Sequence, residues 1–295
     1  MSASRMASST RRWTKMTDPI RLGIFGWPVA HSKSPAMHEA AAQALGLELR
    51  YERFAVEPED LPDAIRRQHA AGIDGYNLTV PHKEAVIPLL DEVSSGARAI
   101  GAVNTVVRTG GRYVGHNTDA SGFVRSLEEA GVELSRARVA IVGAGGAARA
   151  AVVGLADAGA EAIVVLSRRP EQAEALAAAL LEKVDCDLQS APLTTAEDAF
   201  SKSDLLVQAT SATLESNPGA GEFADSLPID ALPASAAVVD MVYKPLRTAV
   251  LARAEERGLR TVDGLGMLLH QGALAFEMWT GVEPPIDVMR AALEE

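Results

Sequence analysis

The sequence predicts an α/β protein built from two domains. Short β-branched runs alternate with Ala/Leu-rich stretches almost throughout, the signature of mainly parallel sheets covered by helices. One apolar run, Arg138–Val142, stops at a glycine cluster from which a helix opens at once. A length of 295 residues suits two ordinary cores better than one.

Elements follow in order. Runs at Arg21–Phe25, Arg50–Val56, Ile73–Val80 and Ala102–Arg108 read as strands, with helical stretches at Pro35–Leu45, Pro58–Ala71 and Lys83–Leu90 between them. After Asp119 a helix-like stretch, Ser121–Ala130, leads into a second series with strands at Arg138–Val142, Ala162–Leu166, Asp204–Ala209, Ala236–Met241 and Arg260–Val262. The boundary therefore falls near Ala120. The amphipathic end, M-L-L-H-Q-G-A-L-A-F-E-M-W-T-G, is too short for a domain of its own, and the pattern leaves open which series it covers.

Composition narrows the function. The formal net charge is −11 and no concentrated basic face appears in the body of the chain, which argues against nucleic acid as a partner. No apolar run approaches the roughly 18 residues that span a bilayer, so no membrane partner is expected. Cys186 is the one cysteine, and a lone thiol fits a reducing cytoplasm. Residues 1–18 are locally basic without an apolar h-region and read as a disordered leader, or as extension from a start codon upstream of Met6 or Met16, with a transit peptide the weaker option.

The glycine cluster G-A-G-G-A-A, Gly143 to Ala148, has the spacing G-x-G-x-x-A at a strand-to-helix junction. Its first glycine permits the tight turn, its second lets backbone N–H groups approach a pyrophosphate, and the helix N-terminus faces the phosphate. About twenty residues on, an NAD site would carry an acid for the ribose hydroxyls. Here stand Ser167, Arg168 and Arg169. Guanidinium groups suit a 2′-phosphate, so the cofactor expected is NADP.

The strand G-Y-N-L-T-V-P-H-K, from Gly75, poses a further question, because a buried polar side chain without a partner costs about 1–3 kcal/mol. Asn77 and Thr79 imply polar groups beside them. Lys83 is one of six lysines against 22 arginines, a small hint that a removable proton is wanted there.

Seven pieces in order resemble the shikimate dehydrogenase family: G-W-P-V-A-H-S-K-S-P from Gly26, N-L-T-V-P-H-K from Asn77, G-A-V-N-T from Gly101, N-T-D-A-S-G from Asn117, G-A-G-G-A-A-R from Gly143, D-M-V-Y-K-P from Asp240 and D-G-L-G-M-L-L-H-Q-G from Asp263. The resemblance implies a substrate domain of residues 19–119 plus about 266–295, to which the C-terminal helices return, and a Rossmann-like NADP domain of residues 120–265. It implies the interconversion of 3-dehydroshikimate and shikimate, in chorismate and aromatic amino-acid biosynthesis, by a cytoplasmic monomer or homodimer. Lys83 and Asp119 match the family's catalytic pair. Ser32 and Ser34 are implied to hold the substrate carboxylate, with Asn77, Thr79, Asn104, Tyr243 and Gln271 lining the same pocket. Gly143, Ala144, Gly145, Gly146, Ala147, Ser167, Arg168, Arg169, Thr210, Met241, Gly264 and Met267 are implied to contact the cofactor.

The chemistry stands without the name. A polyhydroxylated acid needs small hydroxyl and amide groups converging, and hydride leaves a carbinol carbon only as its O–H proton is removed, a task for a lysine beside a carboxylate. Asp119 is also a candidate N-cap for the helix that follows. His31 and His82 read as structural, without a metal. Where the family usually reads N-A-T-S-x-G, this chain has Q-A-T-S-A-T, Gln208 to Thr213, so the loop is expected to differ in shape. Two alternatives follow: a quinate/shikimate or aminoshikimate dehydrogenase, and a ligand-binding or regulatory homologue with little turnover.

Overall fold

The computed structural model describes residues 19–294, so the expected leader lies outside the described residues. Among the described residues twelve strands lie in two six-stranded sheets. The first holds β1 (Ile20–Gly26), β2 (Leu49–Ala55), β3 (Gly75–Leu78), β4 (Glu92–Val93), β5 (Thr105–Thr109) and β6 (Arg112–His116), in the order β2-β1-β3-β5-β6-β4. The second holds β7 (Arg138–Val142), β8 (Ala162–Ser167), β9 (Asp187–Pro192), β10 (Leu205–Gln208), β11 (Ala237–Asp240) and β12 (Arg260–Val262), in the order β12-β11-β10-β7-β8-β9. Helices α1 (Ser34–Ala44), α2 (Leu61–Ala70), α3 (His82–Ala85), α4 (Ser95–Ile100) and α5 (Asp119–Glu129) accompany the first sheet. With the second run α6 (Gly146–Asp157), α7 (Pro170–Leu180), α8 (Ala196–Phe200), α9 (Ala220–Ser226) and α10 (Ala249–Glu256), before α11 (Leu265–Thr280) and α12 (Ile286–Glu294).

Every pairing in the second sheet is parallel, as the alternating pattern requires. The first sheet is mixed instead. β5 runs antiparallel to both β3 and β6. The β5–β6 pair is set by a two-residue hairpin at Gly110–Gly111, with φ of 60° and 82°, the positive values that a turn matched to strand twist demands. The expected helix Lys83–Leu90 is also broken, into α3 and a 3₁₀ turn at Ile87–Leu89. Pro88 has no N–H to donate to the Glu84 carbonyl and its ring crowds that oxygen. β9 escaped the pattern because it is an edge strand with one buried residue, Leu188.

One core cluster joins the two halves. Ile100, Ala102, Phe123 and Leu127 pack with Val139, Val152, Leu155 and Met267, so α5 is held between α6 and the start of α11. Farther along, Leu269, Ala273 and Phe276 of α11 and Met289 and Leu293 of α12 pack on Met37 and Ala41 of α1. The C-terminal helices thus return to the first sheet. This closes the question that periodicity left open.

His38 of α1 is fully buried and neither ring nitrogen has a partner among the described residues. Its ring stacks on Tyr51 at 4.9 Å and meets the edge of Trp279 at 5.2 Å. Burial pushes its pKa from 6.5 down to about 3. Between those values the unfolded chain binds the proton and the folded one does not, so stability is complete above the window and falls as pH falls through it. In His38→Phe the pH dependence of stability should be shallower than in the parent by up to about 1.4 kcal/mol per pH unit. Urea unfolding from pH 7 to 4 checks this, and equal slopes would count against it.

Candidate active site

The polar strand finds its partners. Asn77 Nδ2 donates to the Asn104 carbonyl at 3.0 Å and to Thr105 Oγ1 at 3.1 Å, while its Oδ1 accepts from the Tyr51 hydroxyl at 2.6 Å. Thr79 N–H donates to the Phe25 carbonyl, turning the chain over the end of β1. α3 then begins at His82, whose Nε2 lies 2.8 Å from the Val56 carbonyl and so carries the proton. Burial lowers the pKa of His82, opposed by that bond. His31 is exposed, and no group of His, Cys, Asp and Glu is arranged to hold a metal ion among the described residues.

Lys83, in the first turn of α3, donates from Nζ to Asp119 Oδ2 at 2.7 Å. The carboxylate is nearly enclosed and the lysine keeps partial contact with solvent, at side-chain exposures of 5% and 19%. The Lys83 carbonyl accepts from Val103 N–H, which ties α3 to the approach of β5. Asp119 is the first residue of α5, and its own N–H is bound by Asn117 Oδ1 at 3.0 Å, with Ala120 N–H at 3.3 Å. Capping therefore belongs to Asn117, two residues before the residue expected to do it, and leaves both Asp119 oxygens free for the site.

Asn104 Nδ2 lies 2.9 Å from Asp119 Oδ1, 2.9 Å from Thr118 Oγ1 and 3.2 Å from Gln271 Oε1. Its Oδ1 accepts from Thr118 N–H at 2.7 Å. Lys83, Asn104, Asp119 and Gln271 thus meet in one network. Ser34 is buried at the start of α1, beside the Tyr51 phenol, and its N–H lies 3.3 Å from Ser32 Oγ. Tyr243 is half-buried after β11, with its pKa raised by burial, and no hydrogen bond joins it to this network among the described residues.

The cofactor-type residues gather at the other side. In the second sheet the strand order reverses between β7 and β10, so the C-terminal ends of these two strands flank the crevice where such sheets bind ligands. Gly143 leaves β7 with φ of +125°, and a Cβ there would lie 2.9 Å from Thr210 Cγ2. Ala144 and Ala147 are half-buried, and Gly145 has open space above its backbone. A Cβ on Gly146 would lie 3.9 Å from Lys83 Cδ, so the glycine turn and the lysine face each other across the junction of the sheets. Ser167 ends β8 and accepts from Arg169 N–H at 3.1 Å, leaving Arg168 and Arg169 exposed. Gly264 sits against the Met241 backbone, while Met267 is buried in the shared core.

Gln208, at the end of β10, is fully buried. Its Nε2 reaches Thr213 Oγ1 at 2.8 Å, the Thr210 carbonyl at 3.0 Å and Asp240 Oδ1 at 3.1 Å, and its Oε1 accepts from Thr210 N–H at 2.6 Å. Asp240 also accepts from Val242 N–H and from the Thr248 hydroxyl. Burial raises the Asp240 pKa against these bonds. The loop where a glycine was expected is a 3₁₀ turn, Ser211–Thr213, and Thr213 does not need positive φ. The longer amide and the added hydroxyl complete each other.

Three residues that hydrogen-bond to this network were not singled out in the sequence: Tyr51, Thr118 and Asn117. Thr118 and Asn117 stand in N-T-D beside Asp119, and Tyr51 occupies the inward face of an alternating strand.

Family models match most of this architecture. The shikimate dehydrogenase substrate binding domain matches residues 24–106, the shikimate / quinate 5-dehydrogenase model residues 126–217, and the shikimate 5'-dehydrogenase C-terminal domain residues 264–294. A shikimate dehydrogenase (NADP(+)) of Symbiobacterium thermophilum is 44% identical, over 96% of this chain and 97% of that protein. The chain belongs to the shikimate dehydrogenase family. The solved shikimate 5-dehydrogenase of Thermus thermophilus, in complex with NADP(H) and shikimate, is 41% identical with a TM-score of 0.81, covering 93% of this chain and 98% of that one. A quinate dehydrogenase of Corynebacterium glutamicum, in complex with NAD, is 35% identical with a TM-score of 0.85 over 93% and 98%.

Replacing Gln208 by Leu should leave Asp240 and the Thr210 amide short of partners. We expect a loss of about 1–3 kcal/mol in urea unfolding, the cost of an unsatisfied buried group. A change within error would mean that the network contributes nothing to the loop.

Proposed function

We infer that the protein is an NADP-dependent oxidoreductase that interconverts shikimate and 3-dehydroshikimate in chorismate biosynthesis. The observation that carries this reading is the enclosed Lys83–Asp119 pair facing the glycine turn across the junction of the two sheets. The residues fit the cofactor: open space above Gly145, the free amide end of α6 and two exposed arginines after β8 together suit a pyrophosphate and a 2′-phosphate. NADP, when bound, accepts or returns the hydride.

The chain's own residues supply the rest. Lys83 exchanges the proton of the reacting hydroxyl, Asp119 holds the lysine in line, and Asn104 holds Asp119. Ser32 and Ser34 take the substrate carboxylate, while Thr79, Asn104, Gln271 and Tyr243 bind ring hydroxyls and Asn77 supports them from behind. Thr210, Met241, Gly264 and Met267 would line the cofactor's place beside the glycine turn. On this reading residues 19–119 with the stretch from about 266 onward hold the acid, and residues 120–265 hold NADP. Each chain carries all these residues, which suits a monomer or a homodimer, and the lone thiol Cys186 suits the cytoplasm.

Quinate is the second reading, favoured by the likeness to a quinate dehydrogenase. Reduction of NADP and of NAD, followed spectrophotometrically with shikimate, quinate and aminoshikimate, distinguishes these substrates. No turnover with any of them would favour a ligand-binding homologue, which the enclosed Lys83–Asp119 pair opposes.

Lys83→Ala should lower kcat by about 10²–10⁴-fold and change KM for shikimate little, as an acid–base group acts on the transition state. Asp119→Asn should also lower kcat, and steady-state kinetics of the double variant should be no worse than the poorer single one if the pair acts as a unit. A Lys83 variant that kept most of its turnover would remove the lysine from its role.

Arg168→Asp should lower or invert the preference for NADP over NAD, because the carboxylate repels a 2′-phosphate and accepts from ribose hydroxyls. The ratio of kcat/KM for the two cofactors measures this. A parent equally efficient with both would overturn the cofactor assignment alone.

A further inference from the structure

The loop that carries Ser32 and Ser34 is bracketed by two cations. Arg53 lies on β2 two residues beyond Tyr51 and therefore on the same face of the strand. It donates to the Ser32 carbonyl from Nη2 at 2.7 Å and from Nε at 3.2 Å. Its charge also acts on the Tyr51 phenol, which lies beside Ser34. Lys33, between the serines, donates to the Leu293 carbonyl at the end of α12.

Neither cation is paired with a carboxylate among the described residues. Glu39, an acid of α1 on the approach to this face, is directed at the Tyr51 amide at 3.3 Å. In a chain of net charge −11 this local positive excess stands out. Holding one carbonyl needs no charge, and a guanidinium has five N–H donors of which two are spent here. Arg53 is exposed, so its remaining donors and its unpaired charge are available to an anion.

We propose that Arg53 is the positioning and specificity cation of the acid pocket. Bound to the Ser32 carbonyl, it orients the two serine hydroxyls, and its unpaired charge selects a carboxylate over a neutral analogue. Lys33 adds to the same field while fastening the loop to α12. The proposal rests on the reading of this pocket as the site of shikimate.

The test compares shikimate with its methyl ester, which keeps every ring hydroxyl and lacks the charge. In Arg53→Gln the ratio of kcat/KM for acid over ester should fall about tenfold, chiefly through KM for the acid, as expected for loss of one partly screened charge contact. Arg53→Lys should keep most of that ratio. Added salt should depress kcat/KM for the acid in the parent and have less effect in Arg53→Gln. Equal losses on acid and ester would reduce Arg53 to a loop fastener and overturn the proposal, as would an unchanged ratio with unchanged KM. A parent that oxidised neither compound would instead overturn the functional reading on which the proposal stands.

Discussion

The site depends on one side-chain amide. Asn104 is buried at the entry to β5, and its Nδ2 has two protons to share among Asp119, Thr118 and Gln271, while its carbonyl oxygens, side-chain and main-chain, receive Thr118, Leu78 and Asn77. Three segments, β3, the start of α5 and α11, are thereby fastened to one point at the entry to β5. In a low-dielectric interior each of these bonds is costly to leave unmade, so the network resists any change of arrangement. Lys83 inherits its position from that arrangement, since its carboxylate partner is held on one oxygen by Asn104 and offers the other to the ammonium.

The apolar core delivers these groups to one place. α5 presents Asp119 at its first residue while its Phe123 and Leu127 are enclosed between the two halves of the molecule. The same packing brings the glycine turn of α6 to face the Lys83 stem, which a Cβ on Gly146 would meet at 3.9 Å. Hydrophobic burial is not directional and brings surfaces together, whereas hydrogen bonds select the register in which they meet. Here the two complement each other: α5 is buried as an apolar wedge, and its polar end is fixed by Asn104 and Asn117.

The same logic explains how the chain tolerates an unusual loop beside the cofactor turn. Gln208 in place of a shorter amide would push into the loop unless something made room and something accepted its proton. The 3₁₀ turn Ser211–Thr213 gives the loop its changed shape and Thr213 accepts the proton, while Asp240 and Thr248 extend the set toward β11 and α10. These four enclosed polar groups persist because each finds partners within the set. Electrostatics differ at the loop that leads into α1, where Arg53 and Lys33 hold carbonyls and are paired with no carboxylate among the described residues.

By itself the sequence determined the alternation of strands and helices, the strand-to-helix glycine turn, the missing acid after β8 and the polar residues at strand ends. Each of these is a local property, written in the two-residue period of a strand, the 3.6-residue period of a helix or the conformational freedom of glycine. The hairpin at Gly110–Gly111 was also written locally, as two glycines between alternating runs, and was legible in principle. Only the tertiary structure decided that Asp119 meets Lys83 and Asn104, that Asn77 turns toward Tyr51 and Asn104, that Gln208 and Thr213 share their bonds with Asp240, and that Arg53 reaches Ser32. These choices depend on which segments meet. Asn104 and Gln271 are 167 residues apart, and no period along the chain encodes a bond that exists only once the core has closed.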